Sequence, residues 1–176
     1  MIEIRSEADI PAQYTRTPIG ALLRYQNLGI PLPERAERPE LLIGMCMDSR
    51  KHLRIPENFA FILRTGGANL RLSEFRASYA IAVGGVRAIA LIGHTNCGMS
   101  GITNRRGQFI DGLESAGWPR AAAEKYFDKH APEHEIGRED EFIVAEAKRL
   151  RTLYPKVLVA PLLYLVEDNS IALLPE

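Results

Sequence analysis

Leu41-Leu42-Ile43-Gly44-Met45-Cys46 runs straight into Met47-Asp48-Ser49-Arg50, so a wholly apolar stretch ends on a thiol, a carboxylate and a guanidinium. A run of strand length with no polar residue on either face suits a strand covered on both sides, as in a parallel sheet. Phe59-Ala60-Phe61-Ile62-Leu63 and Ala88-Ile89-Ala90-Leu91-Ile92-Gly93 have the same character. Residues 73–83 read as a helix between the second and third runs, with Ser73 as its cap. Residues 140–153 read as a longer helix with Phe142, Ile143, Ala147 and Leu150 facing inward. Late strands are expected at 157–159 and 162–166, and Glu167-Asp168-Asn169-Ser170 turns the chain into 171–174. Residues 99–139 are mixed in character, with a helix expected over 121–129. Strands alternating with helices predict an α/β fold: a mostly parallel central sheet, flanked by helices and joined by right-handed crossovers.

Upstream, Thr17-Pro18 opens a helix, with Thr17 as N-cap and Pro18 at the first helical position. Ile19, Leu22, Leu23 and Gln26 fall on one face, and Gly29 stops it. The Pro- and charge-rich residues 31–39 then set an N-terminal helical arm (1–39) apart from a body (40–176) within a single domain. At 176 residues with 46% hydrophobic content, the chain is long enough to bury one real core. Lys+Arg and Asp+Glu are both 22, so nothing asks for nucleic acid, an anionic membrane or a polyanionic substrate. The charged N-terminus lacks a secretory apolar stretch, and no segment approaches the roughly 20 apolar residues of a membrane span. A soluble, cytoplasmic protein is expected. Arg105-Arg106 reads as a solvated loop.

In an open parallel sheet, ligands bind outside the carboxyl ends of the strands. Cys46 closes the first run, Arg64 directly follows the second, and His94 follows the third, so these groups converge at one sheet edge. His94-Thr95-Asn96-Cys97 lets one tight turn aim an imidazole and a thiolate at one metal, with Cys46 as a third ligand. Cys₂His with an open fourth position is a catalytic zinc set, and soft thiolates favour zinc over magnesium or calcium. The competing reading is two buried cysteines and an ordinary loop histidine. Asp48 and Arg50 admit two readings as well: a dyad that orients a water beside the metal, or a surface salt bridge of little worth.

Cys46-x-Asp48-Ser49-Arg50 followed by Gly93-His94-Thr95-x-Cys97-Gly98 resembles the signature of the β-class carbonic anhydrases, over about residues 41–100. The resemblance implies a Zn²⁺ cofactor held by Cys46, His94 and Cys97, with Asp48 and Arg50 as a catalytic dyad. It also implies that Asp48 becomes a fourth ligand under some conditions. Arg64, Gly67 and Tyr79 would line the substrate pocket, and Tyr79 reads equally as a core aromatic on its helix. The family's helical arm packs on a partner subunit, so a homodimer or higher homo-oligomer is implied. Two departures stand out. Arg64-Thr65-Gly66-Gly67 replaces the common Arg-Asn-Ala-Gly, and Leu163-Tyr164-Leu165-Val166-Glu167-Asp168 replaces the usual Gly-x-x-Tyr-Asp pattern.

The activity so implied is reversible hydration of carbon dioxide to bicarbonate by a zinc-bound hydroxide. Asp48, held by Arg50, would orient the nucleophile, and two thiolates would leave the water less acidified than at an all-histidine site. His52, His130 and His134 are candidate proton carriers or simple surface histidines. Two alternatives stand beside this activity. One is a hydrolase of a related linear molecule, carbon disulfide or carbonyl sulfide, for which the altered glycine loop speaks. The other is a non-catalytic zinc domain, against which retention of Asp48 and Arg50 speaks.

Overall fold

A computed structural model describes residues 1–32, 38–51, 53 and 55–175; His52 and the middle of the connector lie outside the described residues. The helices are α1 (Ala12–Thr15), α2 (Pro18–Leu28), α3 (Glu74–Ala82), α4 (Arg106–Ser115), α5 (Arg120–His134) and α6 (Glu139–Leu153). The strands are β1 (Leu41–Cys46), β2 (Ala60–Thr65), β3 (Ala88–His94), β4 (Leu158–Tyr164) and β5 (Ile171–Leu173). They form one sheet in the order β2-β1-β3-β4-β5. The first four are parallel and β5 runs antiparallel to β4. This is the mostly parallel, helix-flanked α/β sheet expected from the sequence.

Side chains alternate between the sheet's faces, so each central strand feeds two cores. Leu41, Ile43, Met45, Ala90, Ile92 and Leu162 pack under the N-terminal arm, against Tyr14, Ile19, Leu22 and Leu23. Leu42, Ile89, Leu91, Val159 and Leu163 pack against Ala77 and Ala80 of α3 and Ile143, Ala147 and Leu150 of α6. Thr17 caps α2 by accepting from the Gly20 N–H at 3.4 Å, and Gly29 ends it in the left-handed region at φ 68°. Ile19, Leu22 and Leu23 are fully buried. The arm's apolar face is therefore covered by this chain's own sheet, where the family resemblance placed a partner subunit. Each such side chain contributes about 1.5–3 kcal/mol by leaving water.

Several elements differ from expectation. The second apolar run sits at the sheet's edge, not its centre, and Phe61 and Ile62 are exposed. β2 also extends through Arg64, which lies inside the strand instead of following it. The two late strands are one, β4, which runs through Pro161. Pro161 has no N–H to donate. Its carbonyl accepts from Leu174 beyond the end of β5, and in a strand N and O of one residue face the same neighbour, so the missing donor falls on the β5 side past that strand's end and the ladder with β3 is untouched. Ser73 makes no capping bond; Asn69 caps the preceding 3-10 turn by accepting from the Arg71 N–H at 3.1 Å. Arg105-Arg106 is not a loop: Arg106 begins α4 and grips Asp128 of α5 through a pair of 2.8 Å bonds. Glu146, on α6, is fully buried between Arg149 at 2.8 Å and Arg71 at 3.1 Å. Among the described residues, no helix is long and apolar enough to cross a membrane.

Candidate metal centre

The carboxyl ends of β1 and β3 are neighbours in the sheet, so Cys46 and His94 arrive together by topology alone. The turn after β3 adds Cys97. Asn96 takes φ 56°, a left-handed conformation that asparagine tolerates, and this bends Cys97 back toward Cys46. Several bonds hold the turn. The Thr95 N–H donates to the Tyr164 carbonyl at 3.1 Å, and the Val166 N–H donates to the Thr95 hydroxyl at 3.1 Å. Glu167 accepts from the Thr95 hydroxyl at 3.1 Å and from the Asn96 amide at 3.2 Å. Glu139, the first residue of α6, accepts from the Cys97 N–H at 3.0 Å.

The ligand atoms of Cys46, His94 and Cys97 all lie within 4.8 Å of one another, and all three residues are buried. The two sulfurs are 3.9 Å apart. Tetrahedral zinc with Zn–S near 2.3 Å calls for about 3.8 Å. His94 Nδ1 lies 2.9 Å from the Thr95 carbonyl, which can only accept, so Nδ1 carries the proton and Nε2 presents a lone pair. Among the described residues, that Nε2 is buried with no hydrogen-bond partner. A buried ring nitrogen with its tautomer fixed and nothing to bond is the signature of a metal ligand. The donor set thus fits zinc. The bond from Cys97 holds the Cys46 thiol well below its usual range, and the same bond, with burial, pushes Cys97 up.

Asp48 and Arg50 form the expected pair. Arg50 Nε donates to Asp48 Oδ1 at 3.0 Å and Nη2 donates to Oδ2 at 2.8 Å. Asp48 Oδ2 also lies 4.0 Å from His94 Nε2, which puts the carboxylate beside the ligand set. Both oxygens are engaged by Arg50, so Asp48 faces the guanidinium and does not complete the set. These bonds hold the Asp48 carboxyl well below the usual carboxylate range, against the opposing effect of burial.

The altered glycine loop reaches the metal ligands through its backbone. Gly67 takes φ 61° and its N–H donates to Cys46 Sγ at 3.3 Å. A Cβ on Gly67 would come within 2.8 Å of Ile136, and one on Gly66 within 2.7 Å of the Met99 sulfur. Arg64 is exposed and donates to the Cys46 carbonyl at 3.3 Å. Tyr79 is 58% exposed on the outer side of α3, and no described hydrogen bond or ring contact joins it to the metal set. His130 and His134 line a cavity of about 520 Å³ that reaches the ligand loops at Met47, Gly98 and Met99. Sequence reasoning missed Lys51, which directly follows Arg50 and is 3% exposed; a lysine next to an arginine reads as surface.

No protein-family model matches the chain, and no curated protein matches it by sequence. Solved structures do match. β-Carbonic anhydrase isoform I from Trichomonas vaginalis aligns with a TM-score of 0.65 at 17% identity, over 88% of this chain and 93% of that one. A carbonic anhydrase from Glaciozyma antarctica aligns at 0.61 and 19%, over 94% of this chain and 100% of that one. The apo form of a carbon disulfide hydrolase aligns at 0.58 and 20%, over 87% and 84%. The chain has the fold that these proteins share.

Proposed function

We propose that this protein is a zinc-dependent carbonic anhydrase of the β class that interconverts carbon dioxide and bicarbonate. One observation carries the proposal: Cys46, His94 and Cys97 bring their ligand atoms within 4.8 Å of one another, with an Asp48–Arg50 pair alongside. Zinc, when bound there, supplies the Lewis acidity that makes water nucleophilic near neutral pH. The chain's own residues do the rest. Asp48, fixed as a carboxylate by Arg50, accepts a hydrogen bond and orients the nucleophile. Gly67 and the protonated Nδ1 of His94 hold the ligands in their donor states. A purely structural metal site has no use for the dyad.

A second reading, hydrolysis of carbon disulfide or carbonyl sulfide, is supported by the likeness to a carbon disulfide hydrolase and by the cavity beside Met47 and Met99. Both substrates are linear and would meet the same residues. The protein also assembles as a homodimer in this proposal. β2 is an edge strand, and exposed apolar side chains lie on β2 (Phe61, Ile62), in the 3-10 turn before α3 (Leu72), on α3 (Phe75) and just past its end (Val83). An unpaired edge flanked by apolar residues is complementary to the same edge of a second copy.

The test is metal content and stopped-flow carbon dioxide hydration on one preparation, with sulfide release from carbon disulfide measured in parallel. About one zinc per chain and hydration activity are expected, both lost in Cys46→Ser, His94→Ala and Cys97→Ser. Full zinc in those variants removes the proposed site. Sulfide release without hydration selects the second reading.

A further inference from the structure

Cys46 and His94 end strands, so the sheet itself places them. Cys97 lies beyond β3, in the turn and outside every strand, so bonds from other segments must place it. Those bonds converge from the junction of α5 and α6. The Cys97 N–H donates to Glu139 Oε1 at 3.0 Å. Two residues on, the Met99 carbonyl accepts from the Ile136 N–H at 3.3 Å. The Ser100 hydroxyl donates to the Gly137 carbonyl, and the Gly101 N–H donates to Glu135 Oε1 at 2.8 Å. Glu135 also accepts from the Gly137 N–H at 2.9 Å, which closes the junction on itself. Ile136 packs in one cluster with Cys46 and Cys97. Residues 97–101 are thus stitched to residues 135–139.

Of these bonds, the one to Glu139 is made by the ligand's own peptide. The Cys97 sulfur stands three covalent bonds from the nitrogen that Glu139 holds, so a fixed peptide fixes the direction of the thiolate. Metal–ligand lengths are kept to within about 0.2 Å, so a small swing of that peptide is felt at the metal. A carboxylate acceptor makes the bond charge-assisted, roughly twice as strong as a bond between neutral groups. Glu139 stands in the first turn of α6, where the helix dipole favours its negative charge. That helix packs on the sheet through Ile143, Ala147 and Leu150, so the acceptor is anchored in the core.

We propose that Glu139 is the positioning residue of Cys97: it holds the peptide of the ligand that no strand places, and so governs how tightly that thiolate keeps the metal. This rests on the zinc reading above and assigns the α5–α6 junction a part in it. A carboxylate present only to start α6 would be equivalent to its neighbour Asp140, which stands in the same turn and bonds Arg138 and the Glu141 N–H instead of the ligand loop.

The experiment mixes zinc-loaded, full-length protein with excess chelator and follows zinc release. Glu139→Ala removes the acceptor, and release should quicken by about tenfold, the scale for residues that orient a ligand from behind. Glu139→Gln keeps an oxygen that accepts the same N–H, and its release should stay within about twofold of wild type. Glu139→Asp keeps the charge at the helix start but withdraws the acceptor by one methylene, so it should release zinc several-fold faster than Glu139→Gln. That contrast decides the matter even where alanine costs folding. Asp140→Ala removes a carboxylate from the same helical turn and should release zinc at the wild-type rate. Wild-type release in both Glu139→Ala and Glu139→Asp would overturn the proposal. So would equal acceleration in Asp140→Ala, which would trace the effect to the helix start, or a Glu139→Gln variant as fast as Glu139→Asp. Zinc content separates the two failures: wild-type protein that takes up no zinc defeats the metal reading itself, and this assignment falls with it.

Discussion

Arg50 Nη2 donates to the carbonyl of Asn96 at 2.8 Å while the same guanidinium grips Asp48. The side chain thus ties the loop after β1, which follows Cys46, to the turn after β3, which carries His94 and Cys97. The two ligand-bearing segments meet through one planar, multi-donor group, and lysine cannot reproduce that geometry.

Arg50→Lys should therefore loosen the metal as well as slow the reaction. Residues that orient metal ligands from behind typically change metal affinity by about 10–100-fold. Zinc dissociation into a chelator should quicken by about tenfold in Arg50→Lys. Asp48→Asn leaves the Asn96 bond intact, so its zinc should leave at nearly the wild-type rate. Equal zinc loss in the two variants would reduce Arg50 to a partner of Asp48 alone.

The pH dependence separates Asp48 from other titrating groups. Its folded pKa lies below the ordinary value because Arg50 bonds the ionised form. A depressed carboxyl adds stability that is fully present above the unfolded value of about 3.9 and is lost only as pH falls through the folded value. Across pH 6–9 Asp48 is charged in both folded and unfolded protein, so it contributes no slope there. Any rise in activity over that range belongs to another group. Asp48→Asn should lower the hydration plateau by about 10²-fold yet leave the midpoint within about 0.5 pH unit. A midpoint that moves by a full unit in stopped-flow profiles would assign the limb to Asp48.

Gly67 answers to two constraints at once. Alanine at φ 61° costs about 1–2 kcal/mol. The added methyl would also meet Ile136 at 2.8 Å, and relieving that contact pulls on the N–H that bonds Cys46 Sγ. Gly67→Ala should lower the melting temperature by about 5 °C and weaken zinc retention. Gly29, at φ 68° with nothing near its missing Cβ, is the control. Gly29→Ala should cost stability alone. If Gly67→Ala keeps wild-type zinc affinity, the backbone bond to the thiolate is incidental.

The parts of this architecture that sequence reading finds are those with a single physical reading. β1 and β3 are apolar on both faces because they are central, and their ends carry Cys46 and His94, so strand and site emerge together. The run 59–63 is as apolar as they are, but its side chains sit at an edge, and composition cannot tell an interior from an uncovered surface. Pro161 splits β4 on the page because a missing N–H matters only if a neighbour needs it. α4 carries Gly107 and Gly112 and buries only Ile110, so it shows no apolar stripe. Lys51 and Glu146 are buried charges; Glu146 is held by Arg71 from far along the chain as well as by Arg149 on its own helix, and no local pattern marks either residue as buried. The Cys46–His94–Cys97 cluster was legible because metal chemistry restricts residue types; the charges around it were not.

In assembly the arm and the β2–α3 face make opposite claims. The arm's apolar residues are spent on this chain's own core: Ile19, Leu22 and Leu23 are fully buried under the sheet. Leu22→Ala should therefore cost about 2–5 kcal/mol of stability, as large-to-small core changes do, without a specific effect on subunit association. Phe75, on α3, is by contrast 81% exposed, and Val83, just past its end, 66%, while β2 is an edge strand among the described residues. A side chain already in water loses little when made charged, so Phe75→Glu should leave the melting temperature of the isolated chain nearly unchanged. Within a two-fold interface the same change acts twice and buries two like charges, so the dimer should dissociate. Sedimentation velocity at several concentrations reads the difference directly. A wild-type dimer that becomes monomeric in Phe75→Glu, and remains dimeric in Leu22→Ala below its melting point, supports the β2–α3 face. A dimer that survives Phe75→Glu, or a monomeric wild type, removes that face from the assembly.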